Sequence, residues 1–406
     1  MKHTYRHIPT CHSNRHMSWL LLQLLLLCLA ACSKPEKDTD TSQPTKLYIY
    51  VHAPHTAVPT RAYTGDVDPI GNEAKVYSLQ IWVYGHTSHT LLGYYASTQP
   101  SSLSSSSPYE LIQMTVDETY AAKPAAEREH VDVYVAANIA DSNCNLELDG
   151  RMTQAQLEAA LIQKTSAADP FGVTNPVSVV PENVGLPMSG VLRDQPVTGT
   201  APVLRLDNNS GQIAHVMLIR TVSKLRFAFA NQTGNEDFTV KSITLNASMI
   251  PVEQYLFMAD GAPYNKMTCH IKTESGYNTT TPELLAAPIT DVPTIDQPVI
   301  YTWGNNEDLV PQAYEQKLDD AAAVGDLTQR LYYLRESDKQ LQGEIKYQLG
   351  DGEEQTATFK MVDEGGFSRN HIWTVYAYQA QARLHVVVVT LAPWKTTETN
   401  YEFYNW

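Results

Sequence analysis

Short runs of strand-forming residues recur from Lys46 onward, and they constrain the fold more than any other feature of the sequence. The runs are rich in Val, Ile, Tyr, Phe and Thr and are bounded by Gly, Pro, Asn or Asp, a composition typical of strands and turns. The clearest are KLYIYVHA, VYSLQIWVYG, VDVYVAANIA, VMLIRTVSKLRFAFA, FTVKSITLNAS, GEIKYQL, TATFKMV, HIWTVYAYQ and RLHVVVVTLAPW. Many short strands predict an all-β fold, and 406 residues suffice for two tandem β-sandwich domains with minor short helices.

The stretch GLPMSGVLRDQPVTGTAP is rich in Pro and Gly and suggests a boundary near 198–202, giving domains over 62–200 and 201–406. One helix is predicted over 152–165, where Thr153 and Gln156 have the spacing of a capping box. A second short helix is predicted within 314–336, and Gly350-Asp351-Gly352 predicts a hairpin turn. Helices are therefore expected to be subordinate to the sheets.

The N-terminus has the pattern of an export signal. Lys2, Arg6 and Arg15 precede the apolar run Trp19–Leu29, which is too short to span a bilayer. The run ends in LAAC, which has the form of a bacterial lipobox with Cys32 as the acylated residue. We predict a lipoprotein signal peptide over 1–31 and a membrane anchor through lipid on Cys32. The alternative is a free cysteine beside an ordinary signal.

Two cysteines lie beyond the predicted leader and lipid site. Cys144 and Cys269 could pair in an exported protein, but two cysteines in a chain this long do not make a disulfide framework. We expect them to be unpaired or buried.

The charge balance excludes one class of partner. The chain has 44 Asp and Glu against 29 Lys and Arg, whereas nucleic-acid binding needs a basic surface, so no nucleic-acid partner is predicted.

No motif in the sequence indicates catalysis. Ser189 lies in PMSG, which lacks the second glycine of a nucleophile elbow, and no metalloprotease or phosphate-binding motif is present. His86 and His89 fall in a predicted hairpin turn without an evident third ligand, which favours an inert pair over a metal site. We therefore predict no enzyme, no cofactor and no metal.

The segment Thr45–Gly65 combines a strand with an accessible loop. Leu47, Ile49 and Val51 alternate with tyrosines, as in a half-buried strand. Two prolines then precede the bond between Arg61 and Ala62, and prolines keep a segment extended. Taken alone, this pattern also fits a permanent first strand followed by an ordinary loop arginine.

Several segments together resemble the fimbrillin family, the subunits of Bacteroidales-type (type V) fimbriae. They are VDVYVAANIA, GLPMSG, LIRTVSKLRF, FSRNHIW and LHVVVVTLAPW, in the order that the family has. The chain departs from the family pattern at Ser223, where alanine is usual, and at Trp373, where tyrosine is usual. The resemblance covers most of the chain beyond the leader.

The resemblance implies a fimbrial subunit precursor that is exported as an outer membrane lipoprotein and then cut by an arginine-specific surface protease. Arg61 and Ala62 would flank the cut, which would remove the propeptide 32–61 with its strand. The processed chain would then join other fimbrial subunits head to tail in a surface fimbria by strand exchange. Loss of a strand that fills a core groove leaves apolar contacts and backbone hydrogen-bonding groups open, which favours an incoming strand.

The end of the chain offers a candidate donor strand, because apolar aromatic residues follow a polar stretch there. The aromatic residues are Tyr401, Phe403, Tyr404 and Trp406. The alternative is a final strand that packs on its own domain.

A second hypothesis is a permanently anchored surface lipoprotein, either a fimbrial anchor or a module that binds glycan or host protein. Exposed aromatic residues such as Trp82, Tyr94 and Tyr95 would then form the contact surface.

Overall fold

The computed structural model of the chain describes residues 43–52, 73, 75–98, 103, 109–139, 144–163, 180, 183–232, 234, 236–258, 269–281, 283–295, 328–361, 366–380 and 383–391. Its strands are β1 Lys46–His52, β2 Leu79–Gly85, β3 Leu91–Ser97, β4 Tyr109–Thr115, β5 Val131–Ala137, β6 Leu161–Gln163, β7 Met188–Gln195, β8 Val197–Thr200, β9 Val203–Leu206, β10 His215–Met217, β11 Ile219–Arg220, β12 Val222–Gln232, β13 Phe238–Leu245, β14 Glu253–Tyr255, β15 Thr294–Ile295, β16 Thr328–Arg335, β17 Gln342–Leu349, β18 Gln355–Lys360, β19 Ile372–Ala380 and β20 Arg383–Leu391. The α-helices are α1 Glu118–Ala121 and α2 Gln154–Glu158, with 3-10 turns at Ala125–Glu127 and Thr273–Ser275.

The first group of strands forms two sheets around one core. In the first sheet β1 lies between β4 on one side and β9 and β10 on the other, with β8 beyond β9. The second sheet has the order β11-β7-β5-β2-β3 and is antiparallel throughout. Alternate residues of both sheets, among them Ile49, Ile81 and Val133, meet in a shared apolar core, as in a β-sandwich.

A second sandwich follows along the chain. One sheet has the order β15-β12-β19-β20, with β16 also paired to β12, and the other has the order β13-β17-β18. Their core contains Phe227 and Phe229 of β12, Ile345 of β17 and Val375 of β19. These two groups of sheets confirm the predicted all-β class.

The outer face of the second sheet is also covered. Trp82 and Tyr84 of β2 point away from the first core. They pack with Leu157 of α2 and with Phe257. The small sheet formed by β6 and β14 closes this layer. Strand β2 is therefore buried on both faces, which explains its nearly continuous apolar sequence.

The predicted boundary at 200 and 201 falls in the turn between β8 and β9, which are paired to each other. Residues of β9, β10 and β11 belong to the first two sheets, and β12 begins the second sandwich. We therefore propose a domain boundary near Thr221 in place of the one placed at 200 and 201.

Of the two predicted helices, the first is present but shorter than predicted, and the second is wrong where the structure describes it. The capping box at Thr153 and Gln156 is present, but the helix ends at Glu158, because Leu161–Gln163 pairs with β14. The helix predicted within 314–336 is wrong for 328–335, which is β16 and pairs with β12. Its earlier part lies outside the described residues.

Two predictions about turns and cysteines are confirmed. Strands β17 and β18 form the expected antiparallel hairpin, and Gly350 in its turn has φ of +49°. Cys144 and Cys269 are not joined in a disulfide, and Cys144 is buried.

Candidate functional site

Strand β1 is an interior strand although it is the first strand of the described residues. It pairs along its whole length with β4, antiparallel, from Lys46↔Thr115 to His52↔Tyr109. On its other edge it runs parallel to β9 at residues 46–48 and parallel to β10 at residues 50–52. Seven residues at about 3.3 Å each make a slot roughly 23 Å long, bordered by backbone groups on both sides.

The side chains of β1 divide between a buried and a partly exposed face. Leu47, Ile49 and Val51 are each 0% exposed and belong to the first core, as their alternation predicted. Tyr48 and Tyr50 are half-buried on the opposite face. At about 1.5–3 kcal/mol for each buried aliphatic side chain, the three residues contribute roughly 4.5–9 kcal/mol. That range is comparable to the whole net stability of a domain, about 5–15 kcal/mol.

The N-terminal end of β1 is fixed by a carboxylate that sequence reasoning missed. Thr45 donates its backbone N–H to Oε1 of Glu118 at 2.8 Å and its hydroxyl to Oε2 at 3.0 Å. The backbone N–H of Lys46 donates to the carbonyl of Pro202 at 3.0 Å. Glu118 lies in the first turn of α1, far away in sequence, so no local pattern could reveal this contact.

The C-terminal end of β1 carries a histidine pair. Nε2 of His52 lies 2.7 Å from Nδ1 of His215 on β10, so one ring donates and the other accepts. The ring of Tyr50 stacks on His215, and the ring of Tyr109 lies against His52. Burial lowers the pKa of His215, because the charged imidazolium loses its hydration there.

The remaining residues predicted for processing and polymerisation lie outside the described residues. They are Cys32, Arg61, Ala62, Tyr401, Phe403, Tyr404 and Trp406. Their roles stay predictions.

The chain is described again at Glu73, beyond the predicted cleavage site, and there it is tied to the second sandwich. Nζ of Lys224 on β12 lies 3.2 Å from Oε1 of Glu73, both side chains being fully buried. Tyr333 on β16 donates its hydroxyl to the same oxygen, and Nε of Arg220 donates to the carbonyl of Glu73 at 3.1 Å. A buried ion pair that loses one partner leaves an uncompensated charge, so Glu73 is held firmly by this contact set.

The aromatic residues considered for a binding surface do not form one. Trp82 is 0% exposed, and its indole N–H donates to the carbonyl of Asp149 at 2.7 Å. Tyr94 and Tyr95 are half-buried, and Tyr94 packs against Trp82. This set was wrong because Trp82 and Tyr94 are covered by the layer around α2 and β14, whereas Tyr95 packs against the first core.

No helix in the described part of the chain is long and apolar enough to cross a bilayer. Among the same residues, no group of three or more His, Cys, Asp and Glu side chains could hold a metal ion.

Comparison with known proteins gives structural similarities. No protein-family model and no curated protein matches the sequence. A candidate cell adhesion protein from Parabacteroides distasonis has a TM-score of 0.48 at 16% identity, over 87% of this chain and 99% of that one. The tip fimbrial protein Mfa3 from Porphyromonas gingivalis, with a C-terminal truncation, has a TM-score of 0.46 at 14% identity, over 86% and 99%.

A third similar structure is a fimbrial assembly protein from Parabacteroides distasonis, with a TM-score of 0.42 at 9% identity, over 86% of this chain and 98% of that one. The chain is thus similar in structure to fimbrial and candidate adhesion proteins of Bacteroidales. The sequence motifs resemble the same group. Because the TM-scores lie below 0.5, these likenesses alone do not decide what the chain does.

Proposed function

We propose that this chain is the precursor of a structural subunit of a cell-surface fimbria that supports adhesion. In this proposal it is exported as an outer membrane lipoprotein acylated at Cys32. An arginine-specific protease then cleaves it between Arg61 and Ala62, which releases the lipid and β1. The processed chains join other fimbrial subunits head to tail.

The observation that carries the proposal is the position of β1. It is interior to its sheet, it fills the first core with three side chains, and strands more than 55 residues away in sequence supply all its pairing. No other described strand precedes the predicted cleavage site. A cut at Arg61 would therefore separate the strand from the rest of its sandwich without interrupting any other strand that the structure describes.

The vacated slot has defined requirements for a replacement. Its two edges offer unpaired backbone groups to an extended strand, and its floor has three apolar positions spaced two residues apart. An incoming strand must therefore alternate apolar and polar residues. The segment containing Tyr401, Phe403, Tyr404 and Trp406 has that character, and we propose it as the donor. Such a contact joins different surfaces of two copies and does not close, so it gives a filament.

The proposal is tested by blocking the cut. Arg61→Ala should leave the surface protein at precursor mass with its lipid, and high-molecular-weight polymer should disappear from gels of unheated surface extracts. The matched control is Arg151→Ala, which removes an exposed arginine at the start of the segment before α2. That variant should polymerise as the wild type does.

Two results would count against the proposal. Polymer formed by Arg61→Ala would show that this bond is not the processing site. Wild-type protein that stays acylated at Cys32 and monomeric would favour the second hypothesis, a permanent surface lipoprotein or fimbrial anchor.

A further inference from the structure

The outer face of the first sheet carries side chains that border the slot of β1 and belong to other strands. Residues 46, 48, 50 and 52 of β1 point to this face, because alternate residues of a strand point to opposite faces and the other three enter the core. Their neighbours come from β4 on one side and from β9 and β10 on the other. These border residues are Tyr109, Leu111, Gln113 and Thr115 on β4, Val203 and Arg205 on β9, and His215 and Met217 on β10.

The border residues change in character along the slot. Arg205 is the one permanent cation among these eight, and it lies beside Tyr48. Leu111 and His215 lie on the two sides of Tyr50, and the rings of Tyr50 and His215 stack with their centroids 5.1 Å apart. The slot therefore presents a charged position that is followed, two residues on, by an aromatic and apolar position.

Arg205 can bind a further carboxylate. Its side chain is 50% exposed, and it holds Asp207 through Nε at 2.6 Å and Nη2 at 3.0 Å. Asp207 also accepts the hydroxyl of Thr198 at 2.8 Å, on β8, which lies on the side of β9 away from β1. Nη1 of Arg205 takes no part in the contact with Asp207, and its N–H groups are donors as well. A carboxylate that arrives at the place of Tyr48 can therefore bind to Arg205.

The proposed donor segment has one charged residue, Glu402, among its aromatic residues. A carboxylate that enters the apolar core loses its hydration without gaining a partner, which is costly. Glu402 therefore points outward, and Tyr401 and Phe403 point into the core. The same alternation places Tyr404 and Trp406 on the outer face.

The charge of Glu402 also favours one direction and one register of the incoming strand. If the strand runs in the direction of β1, Glu402 can face Arg205. The reverse direction about the same middle position places Glu402 between Tyr109 and Met217, neither of which is charged. A shift of two residues places it beside His215, whose pKa is lowered by burial, so that the ring is neutral there.

We propose that the segment 401–406 of a second copy enters the slot in the direction of β1, with Glu402 bound to Arg205. This register presupposes the proposed function, namely that β1 is removed and this segment replaces it. The outward residues of the incoming strand then meet the border residues in three pairs, Glu402 with Arg205, Tyr404 with His215, and Trp406 with Met217. The border residues of β9 and β10 thus determine which strand the slot accepts.

On the core side, the incoming strand matches the slot less well than β1 does. In this register the rings of Tyr401 and Phe403 lie at the first two core positions. Asn405 lies at the third position, where Val51 is fully buried in the precursor. An amide at that position gives up hydration, whereas valine has none to lose. The incoming strand is therefore held less firmly than β1 and does not displace β1 from an uncut precursor.

The test is disulfide mapping between chains on the cell surface. A chain carrying Arg205→Cys is co-expressed with a chain carrying Glu402→Cys. Facing residues of neighbouring strands lie about 4.8 Å apart, and disulfides span Cα separations of about 4.4–6.8 Å. A band of two linked chains should appear on boiled, non-reducing gels and should be absent when either variant is expressed alone.

A second matched pair and a shifted pair check the register. His215→Cys with Tyr404→Cys should also link, because these two positions face each other. His215→Cys with Glu402→Cys should not, because a shift of two residues separates the Cα atoms by roughly 8 Å, which no disulfide spans. Linkage of the shifted pair in place of the two matched pairs would overturn the register.

Charge reversal tests the contact with Arg205. Glu402→Lys places two cations side by side and should reduce the amount of surface polymer several-fold. The matched control is Glu398→Lys, which makes the same change four residues earlier, before the strand enters the slot. It should leave the polymer at the wild-type amount. Equal polymer in the two variants would overturn the role of Arg205.

The results also separate this register from the proposed function. A wild type that forms no polymer would overturn the proposed function, and the register with it. Polymer that is abolished by Arg61→Ala, but whose chains link at the shifted pair or at none of the pairs, would retain the proposed function and overturn the register.

Discussion

Strands β1 and β12 are both interior strands of their sandwiches, but they are held in different ways. β1 has seven residues, and its tyrosine-bearing face is only half-buried. β12 has eleven residues and is buried on both faces at every position except Gln232. On β12, Phe227 and Phe229 enter the second core, while Arg226 donates to Tyr376 at 2.9 Å on the other face.

The difference concerns how many specific contacts a replacement strand would have to reproduce. For β1 they are a backbone ladder, which any extended strand can form, and three apolar positions in one core. Further side-chain bonds lie near its two ends, among them those between Thr45 and Glu118 and between His52 and His215. For β12 they include side-chain bonds on both faces, among them the buried ion pair between Lys224 and Glu73. β1 is therefore suited to exchange, and β12 to permanent assembly.

The largest effect is expected from truncation in β12. Phe227 packs edge-on against Phe359 with ring centroids 5.3 Å apart and is fully buried. Phe227→Ala should reduce the free energy of unfolding of the second sandwich by about 3–5 kcal/mol, measured by urea denaturation. The loss should be the same before and after processing, because β12 remains in both forms. A loss confined to the precursor would contradict the contrast between the strands.

Truncation in β1 should depend on the state of the protein. Ile49→Ala should reduce the free energy of unfolding of the precursor by about 2–5 kcal/mol, because it opens a cavity in the first core. After cleavage at Arg61 the variant should be indistinguishable from wild type. The control is Tyr48→Ala on the partly exposed face, which should reduce the free energy of unfolding by less than Ile49→Ala does. An undiminished effect in surface-recovered protein would mean that β1 is retained.

A smaller effect is expected where Glu118 holds the start of β1. Glu118→Ala removes two hydrogen bonds to Thr45 and should cost about 1 kcal/mol, since the carboxylate is exposed to water. Hydrogen exchange should become faster at residues 46–48 and stay unchanged in β12. Glu127→Ala, an exposed carboxylate nearby, serves as the control. Equal acceleration in both variants would rule out a local role for Glu118.

The burial and pairing of each strand explain which strands could be predicted from the sequence alone. The alternation of Leu47, Ile49 and Val51 predicted β1 correctly, because one face is buried and the other is not. In β12 both faces are buried, so Lys224 and Arg226 gave no signal of their buried partners. The run LYYL was placed in a helix because a short apolar run has no clear period, and only pairing with β12 makes it a strand.

The pairing of β1 with β9 and β10 could not be predicted from the sequence. These two strands lie more than 150 residues later in the chain, and no local pattern encodes that pairing.

The smallest effect on stability is expected from a change of pH, which acts on His215 beside the C-terminal end of β1. Burial lowers the pKa of His215, so the unfolded chain takes up a proton below about pH 6.5 while the folded chain resists it. The contribution of this group to stability is therefore full above that pH and falls as the pH falls. His52 is in contact with His215, and the rings of Tyr50 and Tyr109 lie against this pair.

Melting temperatures at pH 7.5 and 5.5 measure this effect. The wild type should lose more stability on acidification than His215→Gln. The hydrogen-exchange protection factors of residues 50–52, which correct for the slower intrinsic exchange at low pH, should be smaller at pH 5.5 than at pH 7.5. An equal pH dependence in both proteins would exclude His215 as its source.

The most direct test of the exchange of β1 is the N-terminal residue of the protein recovered from the cell surface, determined by intact mass and terminal sequencing. We predict a chain that starts at Ala62 and carries no lipid. A chain that starts at an acylated Cys32, with residues 33–61 intact, would contradict it.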